Sequence, residues 1–120
     1  MSKISTNTIG SIDGTYEIDV KDIQPIGVGQ TWQDVTSQRE LDVEYTNDTD
    51  RSIMVSVRAG DPAVGGWIEL FVNDVRISGN YQTIENGGTA YISGIVPPGA
   101  TYRVLNSPDS ELNYWSELRS

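Results

Sequence analysis

The sequence predicts an all-β protein: an antiparallel β-sandwich, jelly-roll-like, preceded by a short N-terminal arm. Three observations predict it. Apolar and polar residues alternate with period two in several separate stretches, the pattern of strands with one buried face. Turn-forming residues recur at intervals of about 8 to 12 residues, as in sandwiches and barrels; the 12 Gly and 5 Pro favour many short elements over a few long ones. No stretch sustains a 3.6-residue apolar period, so no long amphipathic helix is expected. At 120 residues the chain holds one core.

Residues 1–24 read as an arm. Ile4, Ile9 and Ile12 stand apart in a Ser/Thr/Asn-rich stretch, and Asp13-Gly14 is a tight-turn signal. Tyr16, Ile18 and Val20 then alternate with Glu17, Asp19 and Lys21 as a strand. So short a segment buries little by itself, which makes Ile4, Ile9 and Ile12 candidates for docking onto a partner.

The head, residues 25–120, opens with a Gly-rich boundary ending at Thr31. Ser37-Gln38-Arg39-Glu40 matches a capping box but supports one helical turn at most, because a strand-like pattern resumes at Asp42. Leu41, Val43 and Tyr45, then Ile53, Val55, Val57 and Ala59, predict a hairpin across the turn Asn47-Asp48-Thr49-Asp50, with both apolar sets on one face. Trp67 to Val72 is a strand. Val75 and Ile77 form a short one between turns at Asn73-Asp74 and Ser78-Gly79-Asn80. Thr89 to Val96 is apolar on both faces, which predicts a central strand. Pro97-Pro98-Gly99 stops it, Tyr102 and Val104 begin another strand, and Leu112 to Leu118 closes the domain.

Composition narrows the chemistry. With no Cys and no His, there is no disulfide, no thiolate site and no Ser-His-Asp constellation. The net charge of −9 disfavours nucleic acid and anionic membranes. No apolar run is long enough to span a bilayer and no secretion signal is read, so no membrane insertion is expected, with synthesis in a host cytoplasm. Acidic residues in turns, such as Asp48, Asp50, Asp61, Asp109 and Glu111, lack the spacing of a calcium loop. Asp34 with Glu40, or Glu44 with Glu69, could be put forward as a glycosidase pair, but 17 carboxylates in the chain make chance pairs common. The expectation is therefore no cofactor, no metal site and no enzymatic activity.

Several segments carry a resemblance. Gly29-Gln30-Thr31-Trp32-Gln33-Asp34-Val35-Thr36, Tyr45-Thr46-Asn47, Ile53-Met54-Val55-Ser56-Val57, Ile95-Val96-Pro97-Pro98-Gly99-Ala100-Thr101-Tyr102 and Trp115-Ser116-Glu117-Leu118 occur in the order seen in a recurring C-terminal domain of bacteriophage tail-fibre and tail-tip, or receptor-binding, proteins. Residues 25–119 resemble that domain. The resemblance implies a β-sandwich that assembles as a homotrimer on the virion tail and binds the host surface. The expected partners are other tail or baseplate proteins and a host surface glycan or protein. A purely structural role, in the tail tip or as a head decoration, and a carbohydrate-binding module are the alternatives.

The aromatics supply the candidate contact residues. Trp32 and Trp115 lie near the two ends of the head and read as core or interface anchors that pack together where first and last strands meet. Tyr114, next to Trp115 in a strand, faces the other way and is a candidate for a subunit interface. Trp67, after Gly65-Gly66, and Tyr81, beside Gly79-Asn80, are the candidate ligand contacts.

Overall fold

A computed structural model describes residues 8–10, 17–19, 25–60, 66–81, 89–108 and 110–120, the first two stretches as backbone. Its elements are β1 (Thr8–Gly10), β2 (Glu17–Asp19), β3 (Thr31–Asp34), a 3-10 turn (Thr36–Gln38), β4 (Tyr45–Thr46), β5 (Ile53–Gly60), β6 (Trp67–Val72), β7 (Val75–Tyr81), β8 (Thr89–Val96), β9 (Thr101–Asn106) and β10 (Glu111–Arg119).

Eight strands form two four-stranded antiparallel sheets. The first has the order β3-β10-β5-β8 and the second β4-β9-β6-β7. From β3 onward, each strand crosses to the opposite sheet except at the β6–β7 hairpin. Numbered one to eight from β3, the orders become 1-8-3-6 and 2-7-4-5, those of a jelly roll. β1 and β2 pair antiparallel in a two-stranded sheet of their own. Of the candidate docking residues Ile9 lies on β1, while Ile4, Ile12 and the Asp13-Gly14 turn fall outside the described residues.

The alternation read from the sequence sets the core. Ile53, Val55, Val57 and Ala59 of β5 face Ile68, Leu70 and Val72 of β6, with Ala90, Ile92 and Val96 of β8, Tyr102 and Val104 of β9 and Trp115 of β10 closing the layer. Two bulges adjust the faces. The register between β6 and β7 shifts between Leu70 and Phe71, leaving Ile77 as the extra residue. Ile77 reaches Gly94 of β8 across the open edge of the sandwich: a Cβ at Gly94 would lie 2.7 Å from Ile77 Cδ1 and 2.8 Å from Leu70 Cδ2. A second shift, between Leu112 and Tyr114, lets Leu112 pack against the core while Tyr114 points out.

Four expectations need correction. Leu41, Val43 and Tyr45 do not form a strand of that length: Asp42 adopts a left-handed φ of 61°, which Asp tolerates, and the alternation breaks there. Only Tyr45–Thr46 pairs, with β9. Second, the Asn47–Asp50 turn joins β4 in one sheet to β5 in the other, so it is a crossover and not a hairpin. Third, β8 is an edge strand; both its faces are apolar because Tyr91 and Ile95, each 50% exposed, lie on the outside. Last, Ser78-Gly79-Asn80 continues β7, since pairing with Ile68, Glu69 and Leu70 of β6 overrides their turn preference. The Asn73-Asp74 turn is real, with both residues at positive φ, 49° and 63°, as a two-residue I′ hairpin requires.

Candidate functional site

The first and last strands of the head do meet: Thr31 pairs with Arg119, Trp32 with Leu118 and Asp34 with Ser116. The two tryptophans nevertheless do not pack together. Trp115 is fully buried in the core, whereas Trp32 is 52% exposed. The register explains it: Trp32 stands opposite Leu118, three residues from Trp115 and so on the other face of the pleat. Trp32 is therefore not a core anchor. Tyr114 faces outward, as expected for the neighbour of a buried Trp115.

The outer face of the first sheet is ordered in rows. Trp32, Leu118, Met54 and Ile95 are cross-strand partners and form an apolar row over all four strands. Asp34, Ser116, Ser56 and Ser93 form the next row. Beyond them Arg58 stands between Tyr114 and Tyr91, its guanidinium carbon 6.0 and 5.6 Å from the two ring centroids. In a chain of net charge −9, these rows carry one aspartate and one arginine and are locally neutral.

Trp67 and Tyr81 are direct cross-strand partners on the outer face of the second sheet. With Glu69, Gly79 and Asn80 they line a shallow recess of about 350 Å³. Gly79 makes room beside the rings: the nearest atoms to a Cβ there would be Glu69 Cγ at 3.6 Å and the Ile68 carbonyl at 3.8 Å, both at ordinary contact distance. Glu69 is fixed by Arg76, whose Nη1 donates to its Oε2 at 2.8 Å. The backbone of Trp67 is pinned as well. Its N–H donates to Ser107 Oγ at 3.2 Å and its carbonyl accepts from Ser107 N at 3.0 Å. Gly66 allows this approach, because a Cβ would sit 2.6 Å from that hydroxyl.

Residues of β9, β10 and the segment after the 3-10 turn converge on a buried ionic centre. Glu117 is fully buried and accepts five hydrogen bonds. Arg39 donates Nε to Oε2 at 3.0 Å and Nη2 to Oε1 at 3.1 Å. Tyr102 OH (2.9 Å) and Trp115 Nε1 (3.0 Å) donate to Oε2, and Arg119 Nη1 to Oε1 at 2.9 Å. Arg39 also lies 4.7 Å from the Tyr45 ring centroid. Burial alone would push the Glu117 carboxyl up; the bonds from Arg39 and Tyr102, with the Arg39 charge, outweigh it and hold the group below its ordinary range. Burial and the Glu117 charge push the Tyr102 phenol up to about 12. Every oxygen is occupied and none meets solvent, so this centre fixes the fold and offers a substrate no reactive atom.

A second lock joins the β4–β5 and β8–β9 turns. Buried Asn47 donates Nδ2 to the carbonyls of Arg51, Val96 and Pro97, and its Oδ1 accepts from Thr49 N and Oγ1. Its backbone carbonyl accepts from Gly99 N at 2.8 Å, with Gly99 at a φ of 77° that suits glycine.

Sequence reasoning missed Arg39, Tyr102 and Glu117 as one centre, because charged residues default to the surface. A signal existed: residues i and i+2 share a strand face, so a core Trp115 commits Glu117 to the core. It also missed Glu69 and Gly79 as neighbours of Trp67 and Tyr81, since Gly79 was read as part of a turn. Among the described residues no cluster of three or more acidic residues could hold a metal ion, and no helix is long and apolar enough to cross a membrane.

No family model matches the chain. It is similar to the large subunit of phosphomevalonate dehydratase from Methanothermobacter thermautotrophicus, at 29% identity over 96 residues. The match covers 77% of this chain and 24% of that subunit, so the chain spans about a quarter of the relative's length. This likeness corrects the expectation of a chain without enzymatic activity, because a similar sequence belongs to an enzyme subunit.

Proposed function

We propose that the chain is a bacteriophage tail-fibre or receptor-binding protein, acting as a homotrimer that attaches to the tail by residues 1–24 and meets the host surface with its head. One observation carries this reading: the placement of the two ends of the sandwich. The head begins at Thr31, paired with Arg119, at one pole. The start of β6, the end of β7 and the start of β10 lie at the other, where Ser107 ties Trp67 to the β9–β10 turn. The poles are separated by the length of β5, eight residues or roughly 25 Å. The recess thus lies at the pole opposite the start of the head, where Pro25 meets Arg51 and Thr31 meets Arg119, as suits an adhesin's contact surface. The jelly-roll strand order, shared by viral capsid and lectin domains, is consistent by analogy.

The outer face of the first sheet suits the subunit contact. Exposed Trp32 and Tyr114 lie on it, and its neutrality makes it a surface on which chains of net charge −9 can approach each other. Three copies present three recesses, so weak individual contacts gain by avidity. Sedimentation equilibrium of the full chain should give a trimer at micromolar concentration, and labelled protein should adsorb to host cells. A stable monomer would overturn the reading; a trimer that ignores the host surface would leave a structural tail role in its place. The dehydratase likeness favours a second reading, a portion of a dehydratase-type enzyme, tested by assaying the purified chain for turnover of phosphomevalonate.

A further inference from the structure

We infer that the recess of Trp67, Glu69, Gly79, Asn80 and Tyr81 is a saccharide subsite that takes a neutral hexopyranose and discriminates against acidic sugars; the inference rests on the adhesin reading. A pyranose has an apolar face of C–H groups and a rim of hydroxyls. The recess presents the complement of both. Trp67 and Tyr81 stand directly opposite each other on adjacent strands, and Tyr81 is 70% exposed, so rigid aromatic surface with a polar tip is available for stacking. Gly79 supplies the gap in which a ring can sit, and its missing side chain is bounded by Glu69 Cγ at 3.6 Å and Oε2 at 3.9 Å. The size, about 350 Å³, belongs to the small end of ligand sites.

Glu69 decides the class of sugar. Its carboxylate is acceptor-only, with about four lone-pair sites, and Arg76 occupies one of them. Those remaining suit sugar hydroxyls as donors. A uronic or sialic carboxylate would instead meet a like charge in a chain of net −9.

The test is titration of the full-length protein with neutral trisaccharides of glucose, galactose and mannose, and with a trigalacturonate, followed by tryptophan fluorescence and calorimetry. At least one neutral trisaccharide should bind saturably, and at least tenfold more tightly than the trigalacturonate. Trp67→Ala and Gly79→Leu should each weaken it tenfold or more. Gln38→Ala, on the exposed 3-10 turn, should change it less than twofold. Circular dichroism checks each variant's fold, and Tyr81→Ala replaces Gly79→Leu if the latter is misfolded. Equal or tighter binding of the trigalacturonate, no saturable binding of any neutral sugar, or wild-type affinity in folded recess variants would overturn the inference. Host-cell adsorption separates the two readings. Adsorption unaffected by folded recess variants overturns the subsite and keeps the adhesin; neutral-sugar binding without adsorption supports the subsite and overturns the adhesin.

Discussion

Replacing Arg39 by Leu puts the buried centre to a quantitative test. The substitution keeps an apolar stem beside Tyr45 but removes two charge-assisted bonds, at 3.0 and 3.1 Å, from a carboxylate with no exposed surface. Breaking one partner of a buried pair costs about 3–5 kcal/mol, because the remaining charge is left uncompensated. Here Arg119 Nη1 stays at 2.9 Å from Oε1, and Tyr102 and Trp115 still donate. The lower end therefore applies, about 3 kcal/mol, or a melting temperature lower by roughly 12 °C for a domain of this size. Urea denaturation of wild type, Arg39→Leu, Glu117→Gln and the double variant closes a mutant cycle. The double variant should be more stable than Arg39→Leu alone, since the neutral amide no longer needs a cation. Acid titration supplies a second readout. The folded carboxyl titrates below its unfolded value of about 4.3, so the unfolded chain takes up the proton first. Stability is full above that pH and is lost as pH falls through the folded value; Glu117→Gln should flatten this acid limb. An Arg39→Leu loss under about 1 kcal/mol, or a double variant weaker than the single, would refute the account.

Three further outcomes are expected. Asn47→Ala should cost about 2–3 kcal/mol in urea titrations, because it strands buried carbonyls of the β4–β5 and β8–β9 turns. Trp32→Ala, half exposed, should cost the isolated chain less than about 1 kcal/mol, while weakening self-association tenfold or more in sedimentation equilibrium. At high pH, Tyr102 titrates at about 12 when folded and near 10 when unfolded. The unfolded chain then releases its proton first, stability falls as pH rises from about 10 to 12, and Tyr102→Phe should show a shallower fall.

Strand positions and their buried faces were legible because period two survives in β5, β6 and β10, where every second residue from Ile53 to Ala59 is buried. Trp115 inward and Tyr114 outward followed from the same rule. The assignment of strands to sheets was not legible. Alternation says which way a side chain points and nothing about which strand lies beside it, so a short Asn-rich turn read as a hairpin when it is a crossover. The role of Trp32 failed for the same reason, since its face depends on register with Leu118. The recess was half legible: aromatics beside glycines marked Trp67 and Tyr81, but Glu69 and Gly79 joined them only through cross-strand pairing.

The adjacency of β3 and β10 has a kinetic consequence. Thr31 and Arg119 are partners, so this ladder cannot zip until nearly all of the head has been synthesised and its intervening strands have found their places. Pairings of such long sequence separation slow the search, and all-β chains of this kind fold over milliseconds to seconds. During that interval β5, with its apolar Ile53, Val55 and Val57, can pair with β8 but keeps the edge that β10 will cover open. Late closure, and not weak final packing, is then the step at which new chains would clump, and co-expressed folding helpers should raise the soluble yield more than lowering the growth temperature alone.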